Sequence, residues 1–184
     1  LTAITIPGGV TIHKNIRGVT MKNTLGVTTI GYSAFEDCSS LKSITIPKGV
    51  TTIGRRAFKR CSLTTITIPE GVTTIDEGAF CGCSSLTTIA IPHSVTTIGR
   101  GAFKRCSSLT AITIPGGVTI HKNIRGVTMK NTLGVTTIGY SAFEDCSSLK
   151  SITIPHSVTT IGSHAFSGCS SLTAITIPEG VTMK

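Results

Sequence analysis

The sequence predicts an α/β solenoid, dominated by strands, with coils of about 23 residues and two 17-residue insertions. Three observations predict it. Residues 1–47 and 109–155 are identical, and a shorter unit recurs most clearly at 63–85 and 86–108. Thr, Ile and Val are abundant, and such β-branched residues favour half-buried strands over helices. Each unit therefore forms one coil of a stack and buries its apolar edge only against its neighbours.

The units divide the chain into six coils and a partial seventh, each beginning at a Leu. The coils are 1–40, 41–62, 63–85, 86–108, 109–148, 149–171 and the partial coil 172–184. Both ends of the chain fall inside a repeat, and no polar capping unit is visible there. We therefore expect a single array that is a segment of a longer one, or whose ends are covered by neighbouring copies.

Each coil reads as two short strands followed by a tight turn. In the third coil, Ile66 and Ile68 alternate with threonines, which is the period of a strand with one solvated face. Pro69 ends this strand because it has no N–H to donate to a ladder. A second short strand follows at 72–75, and residues 76–83 are predicted to form a single helical or 3₁₀ turn.

Stacking of these coils predicts columns of identical side chains. One column contains Phe35, Phe58, Phe80, Phe103, Phe143 and Phe166, and another contains Cys38, Cys61, Cys83, Cys106, Cys146 and Cys169. The cysteine spacing follows the repeat, so we interpret these thiols as small buried hydrophobes rather than as disulfides or metal ligands. Cys81 lies outside the column, and we expect it to be an exposed, oxidisable thiol.

The repeated pattern is L-x-x-I-x-I-P-x-G/S-V-T-T-I-G-x-x-A-F-x-x-C-S-S. It resembles the BspA-like (Treponema pallidum-type) leucine-rich repeat, fully at 41–62, 63–85, 86–108 and 149–171 and in part at 172–182. This resemblance implies a right-handed, curved leucine-rich-repeat stack that serves protein–protein contact and cell adhesion. It also implies an extracellular or cell-surface location, and it supplies no catalytic residues.

The formal net charge of +9 raises the question of an anionic partner. On the turn segments, cations of one coil align with anions of the next. Glu36 aligns with Lys59, Asp37 with Arg60, Glu144 with Lys104 and Asp145 with Arg105, and Glu77 falls between Arg55 and Arg100. These segments are therefore almost neutral. Nucleic-acid recognition is not expected, since no reading helix or interleaved aromatic residues are present.

The two insertions carry most of the unbalanced charge. Their cations are Lys14, Arg17, Lys22, Lys122, Arg125 and Lys130, and His13 and His121 add charge at mildly acidic pH. We predict that these eight residues contact a ligand. Four coils separate the two copies, so at ~4.8 Å per coil they are expected ~20 Å apart on the same side of the stack.

Each insertion is predicted to form a small hairpin or β-meander that protrudes from the solenoid. The stretch 9–30 contains Gly-Val-Thr three times, and Arg17-Gly18 and 23–26 are turn candidates. The alternative is a shortened extra coil within the stack. Protrusion is favoured because 17 residues fall short of a 23-residue coil.

Taken together, the sequence favours a non-catalytic module for binding protein or anionic polysaccharide. No paired carboxylates, nucleophile elbow or phosphate-binding loop appears, so neither an enzyme nor a cofactor is expected. The alternative is a structural subunit that self-associates into a filament or surface layer through uncapped ends or protruding loops. Ice binding by threonine arrays is disfavoured because Ala90 interrupts them. No segment reads as a transmembrane span or a signal peptide.

Overall fold

The protein forms a parallel stack of short strands in a computed structural model. The structure describes the backbone of residues 3–5, 10–13, 20–23, 27–116, 118–124 and 127–184, and the side chains of 27–116 and 134–184. The strands are β1 (Ala3–Thr5), β2 (Val10–His13), β3 (Thr20–Asn23), β4 (Thr29–Ile30), β5 (Ser43–Thr45), β6 (Thr52–Ile53), β7 (Thr74–Ile75), β8 (Thr88–Ala90), β9 (Thr97–Ile98), β10 (Ala111–Thr113), β11 (Val118–Ile124), β12 (Val127–Leu133), β13 (Thr137–Ile138), β14 (Ile152–Thr153), β15 (Thr160–Ile161), β16 (Ile175–Thr176) and β17 (Thr182–Met183).

Two parallel ladders run along the stack, with one rung from each coil. The first joins β1 to β5, passes through Thr67 to β8 and β10, and reaches Ser151 beside the pair of β14 and β16. The second is a seven-stranded sheet in the order β4, β6, β7, β9, β13, β15 and β17. Isoleucines lie opposite isoleucines in both ladders, as for Ile53 and Ile75. The predicted strand-dominated solenoid with a spacing of about 23 residues is confirmed.

The third side of each coil is a run of tight turns, not a helix. In the second coil, the N–H groups of Arg56, Phe58 and Arg60 donate to carbonyls of the third coil at 2.8–2.9 Å. The N–H groups of Ala57 and Lys59 instead donate three residues back in their own coil. Because a helix keeps these bonds within one segment, the predicted helical or 3₁₀ turn is wrong, and with it the α part of the α/β class. No helix in the described ranges is long and apolar enough to cross a membrane.

Stacked phenylalanine rings form the centre of the core. Neighbouring ring centroids in the predicted column are 5.2–5.5 Å apart, and the ring planes agree within 10°. Phe58, Phe80, Phe103 and Phe143 are fully buried. Full burial of one such side chain contributes about 1.5–3 kcal/mol. The column is therefore a continuous apolar axis that no single coil can form alone.

Threonine hydroxyls add a polar column on the surface. The Oγ1 atoms of five threonines each donate to the carbonyl of the threonine one coil earlier, at 3.1–3.3 Å; these are Thr51, Thr73, Thr96, Thr136 and Thr159. The same carbonyls also accept the backbone N–H of these threonines. This bonding gives a physical reason for the Val-Thr-Thr-Ile motif, since a hydroxyl on a β-branched side chain suits both the strand and the bond.

The second insertion enters at the corner between the two ladders. Its strands β11 and β12 pair antiparallel, from Val118 opposite Leu133 to Ile124 opposite Val127. In the sheet, β13 pairs directly with β9 on one side and β15 on the other, so no further coil separates them. In the first insertion, β2 and β3 also pair antiparallel. That these strand pairs protrude from the solenoid stays a prediction.

Candidate functional site

The predicted ligand-binding residues fall into two groups. Lys14, Arg17 and Arg125 lie outside the described residues. For the others the structure describes the backbone alone: His13 in β2, Lys22 in β3, His121 and Lys122 in β11, and Lys130 in β12. The antiparallel register places His121 opposite Lys130, and Lys22 opposite Thr11. Of the predicted ligand-binding residues, the register therefore places His121 and Lys130 opposite each other across β11 and β12.

The spacing of the two insertions follows from the sheet. The strands β4 and β13 continue the chain after the first and second insertions. They are four steps apart in the sheet order. At ~4.8 Å per step their separation is ~19 Å. The points at which the two insertions return to the stack are thus four strand steps apart, the number of coils counted from the sequence.

The turn side carries a ladder of ion pairs between coils. The distances are 3.3 Å for Arg55–Glu77, 2.8 Å for Lys59–Glu36, 3.1 Å for Arg60–Asp37, 2.8 Å for Lys104–Glu144 and 3.6 Å for Arg105–Asp145. These predicted pairs are confirmed. The Lys59 ammonium, bonded to Glu36, and the nearby Ser33 hydroxyl lower the pKa of that carboxyl. Exposed pairs of this kind contribute only ~0–1 kcal/mol each.

Two arginines of this side have no carboxylate partner. Arg100 does not pair with Glu77, because Glu77 binds Arg55 and the Arg100 guanidinium lies over the Tyr140 ring, 4.8 Å from its centroid. Arg56 forms no ion pair with any of the eight acidic residues, all of which are within the described part of the chain, although its charge helps Lys59 and Ser33 to lower the pKa of Glu36. Of the two arginines that flank Glu77 in the alignment, only Arg55 is therefore paired with it, and local positive charge is left over.

Both unpaired arginines line one groove, which we call the turn groove. Its volume is about 180 Å³, and its walls include Arg56, Glu77, Arg100, Lys104 and Tyr140. Gly78 and Gly101 open space between these walls because they have no side chain. Both glycines have positive φ, 62° and 57°, a region where a Cβ is disfavoured. Sequence reasoning missed this groove. The feature that could have indicated it is the second coil, 41–62, which contains arginines but no acidic residue.

A second, larger groove of about 630 Å³ adjoins the turn groove on the same side. Lys59 and Cys81 line both grooves, and Arg60, Arg105 and Asp145 line the larger one alone. The arginines of the larger groove are ion-paired, to Asp37 and Asp145. Of the two grooves, only the turn groove therefore contains arginines without a carboxylate partner.

The column cysteines are structural thiols. The Sγ atoms of five of them lie 2.8–3.2 Å from phenylalanine carbonyls one coil earlier; these are Cys61, Cys83, Cys106, Cys146 and Cys169. All seven thiols are free. Burial raises the pKa of the Cys83 thiol to about 12 and that of Cys106 well above its ordinary value. In the described residues no cluster of His, Cys, Asp and Glu is arranged to hold a metal ion.

Cys81 is half-buried rather than fully exposed, and it differs from the column in its surroundings. Its side chain lines both grooves, whereas Cys83 and Cys106 have no solvent contact. We expect Cys81 to react first with a thiol reagent at pH 8, because buried thiols do not ionise readily and because burial raises the pKa of Cys38, the other half-buried thiol. Titration of the native protein should show one fast thiol, and C81S should remove it. A fast phase that survives C81S would contradict this assignment.

Comparison with known proteins places the repeat in a family. The model of the "BspA type Leucine rich repeat region" matches residues 4–125 and 121–183, with six copies. No curated protein matches the chain. A leucine-rich repeat protein of Treponema pallidum is similar in structure, with a TM-score of 0.78 and 29% identity. The match covers 99% of this chain and 72% of that protein.

Two other solved structures resemble the chain. A leucine-rich cell surface protein from Faecalibacterium prausnitzii is 31% identical with a TM-score of 0.59, over 95% of this chain and 47% of its own. The pneumococcal vaccine antigen PcpA is 26% identical with a TM-score of 0.72, over 97% of this chain and 41% of its own. The chain thus spans less than half of both proteins. The family match covers nearly all of the chain, and the chain belongs to the BspA-type leucine-rich repeat family.

Proposed function

We propose that this chain is a non-catalytic binding module that contacts protein or anionic polysaccharide through its two basic insertions. The observation that carries the proposal is the duplication of three cations and one histidine in two identical insertions. The turn segments largely neutralise their own charge. The insertions contain no acidic residue at all. An anionic partner therefore meets its strongest long-range attraction there.

The fold supports simultaneous use of both insertions. A repetitive partner that binds one insertion finds the second held at a set distance by the sheet between β4 and β13. Linking two weak sites rigidly in this way raises the overall affinity through a high effective concentration. The register places His121 opposite Lys130, so both positions belong to one patch of the second insertion.

We also propose that the module works outside the cell or at its surface. Of the similar structures, one is a cell surface protein of Faecalibacterium prausnitzii and another is a pneumococcal vaccine antigen. Proteins of leucine-rich repeat families commonly serve as binding or adhesion scaffolds, and this chain shares their repeat. Surface exposure would give the insertions access to glycans and to proteins of neighbouring cells.

Charge reversal of the insertions tests the proposal. Replacement of Lys14, Arg17 and Lys22 by Glu, combined with K122E, R125E and K130E, should abolish retention on immobilised heparin at physiological salt. A matched control reverses exposed lysines outside the insertions: Lys42, Lys48 and Lys150. Because the control reverses three charges, it is compared with a variant that reverses the first insertion alone. The control should elute later than that variant.

Two results distinguish a binding module from a structural subunit. Equal loss of retention in the control and the single-insertion variant would show that only net charge matters, which contradicts the proposal. The alternative function is a structural subunit that assembles through its insertions. It predicts that wild-type protein forms large particles in size-exclusion chromatography and electron microscopy, that charge reversal disperses them, and that the single-insertion variant loses no more retention on heparin than the control.

A further inference from the structure

We propose that the turn groove is a second binding site, which takes a uronic-acid residue of an acidic polysaccharide. The proposal goes beyond the insertions and uses none of their residues. It starts from the two arginines that the fold leaves without a carboxylate, Arg56 and Arg100, on the walls of one groove. A guanidinium presents paired donors that match the two oxygens of a carboxylate. A carboxylate of the ligand would supply the anion that the guanidinium groups of Arg56 and Arg100 lack within the protein.

Tyr140 holds one of these arginines in place. Its ring has the Arg100 guanidinium 4.8 Å from the centroid and the His164 ring 5.5 Å away, tilted by 58°. Arg100 from the preceding coil lies over the ring and His164 from the following coil lies beside it, while 44% of the Tyr140 surface stays exposed. We assign Tyr140 as a positioning residue that orients Arg100 by a cation–π contact. The ligand is then recognised by ionic and hydrogen bonds.

The other walls favour a sugar with several hydroxyls and one carboxylate. Glu77 uses one carboxylate oxygen, Oε1, for Arg55 at 3.3 Å, and Glu77 is also one of the residues that line the groove. A carboxylate accepts hydrogen bonds from hydroxyls but repels a densely anionic chain such as polyphosphate. Lys104 is held by Glu144 at 2.8 Å and keeps further N–H donors. The groove therefore offers donors for one anion and an acceptor for neutral hydroxyls.

An acidic peptide fits this groove less well than a sugar. Peptide recognition depends on apolar or aromatic anchors in pockets, or on an open strand edge. The walls of the turn groove are glycines and charged or polar side chains, and the Tyr140 ring is already flanked by Arg100 and His164. Backbone N–H groups on this side are used between coils, as for Gly78 and Gly101. Apart from this one partly exposed ring, the groove thus offers an acidic peptide no apolar pocket and no open strand edge.

The test uses a short oligogalacturonate as the probe, with the fully methyl-esterified oligomer and an oligoglutamate as comparisons. Binding is measured by calorimetry at pH 7 for wild type and for R56G combined with R100Q. Glycine suits position 56, where φ is 55°, because Gly78 and Gly101 occupy the same coil position with positive φ. The control K42Q with K150Q removes the same number of charges from exposed positions outside the groove.

We expect the R56G/R100Q variant to lose at least about tenfold in affinity for oligogalacturonate, while the control stays within about twofold. Y140A should weaken binding by about two- to fivefold, and Y140F should not. The methyl ester should not bind. R100Q alone is measured as well, and thermal unfolding is followed for every variant.

Three results would overturn the site. One is unchanged affinity in R56G/R100Q or R100Q, and another is an equal loss in the control. The third is tight oligoglutamate binding that the groove variants abolish, which would assign the groove to an acidic protein segment. Reversal of the insertion charges should leave oligogalacturonate affinity within about threefold, so failure of the insertion proposal and failure of this one are distinguishable.

Discussion

Replacement of Phe80 by Ala is expected to lower the free energy of unfolding by about 3–5 kcal/mol. Phe80 is fully buried, and its ring lies 5.3 Å from both Phe58 and Phe103. The truncation removes contacts on both sides and leaves a cavity that the stacked backbone cannot close. In a solenoid each coil is stabilised only by its neighbours, so a weak coil in the middle uncouples the two halves. Urea denaturation followed by circular dichroism measures the change.

Phe166 provides the matched control for this experiment. It belongs to the same column, but it is only half-buried and stacks on one ring, that of Phe143, at 5.5 Å. Phe166→Ala should therefore cost clearly less, about half of the central substitution by the same rule. Equal losses at the two positions would show that the column does not act as a chain of nearest-neighbour contacts.

Replacement of Gly139 by Ala is expected to destabilise the protein by about 2 kcal/mol, because the added methyl group overpacks the stack. A Cβ at Gly139 would lie 2.7 Å from the backbone N of Arg100 and 2.7 Å from the carbonyl carbon of Gly99. These are backbone atoms of the preceding coil, so they cannot move aside as a flexible side chain can. Thermal unfolding should show a lower midpoint for the variant.

Gly116 is the control position, because a Cβ there has no atom within 4 Å. Gly116→Ala should leave stability unchanged or raise it by about 0.4–1 kcal/mol, since Ala lowers the entropy of the unfolded chain. Asp76 occupies the coil position of Gly139 in the third coil, and its Oδ1 accepts the N–H of Glu77 at 2.6 Å. The stack therefore admits one side chain there. Unchanged stability in Gly139→Ala would show that the fifth coil also accommodates a side chain at this position without strain.

Much of the fold follows from the repeat alone. Once the coils are in register, residues 22, 23 or 40 positions apart become neighbours, so the phenylalanine column and five ion pairs can be predicted from the alignment. The turn segment could not be predicted in the same way. Its spacing fits a helical turn, yet its N–H groups alternate between their own coil and the next. That choice depends on the neighbouring carbonyls, which no single coil contains.

The strand register of the two insertions could not be predicted from the sequence either. Their sequences are identical, yet Val10 lies opposite Asn23, whereas Val118 lies opposite Leu133, the counterpart of Leu25. The two registers differ by two residues, a shift that keeps each residue on the same face of the hairpin. The alternating pattern predicts strands and an antiparallel pair. It does not select one register, because both place the same residues on each face.

The sequence by itself determined the solenoid, its coil length, its two columns and the position of its unbalanced insertions. These features repeat along one dimension, and alignment is enough to recover them. Only the tertiary structure decided that Arg56 and Arg100 are left without a carboxylate partner. Glu77 is equally near to Arg55 and Arg100 in the alignment, but in the fold it pairs with Arg55, and Arg100 turns to Tyr140. Side-chain geometry decides which of two neighbouring cations pairs with one carboxylate, and that geometry is set only when the coils are stacked.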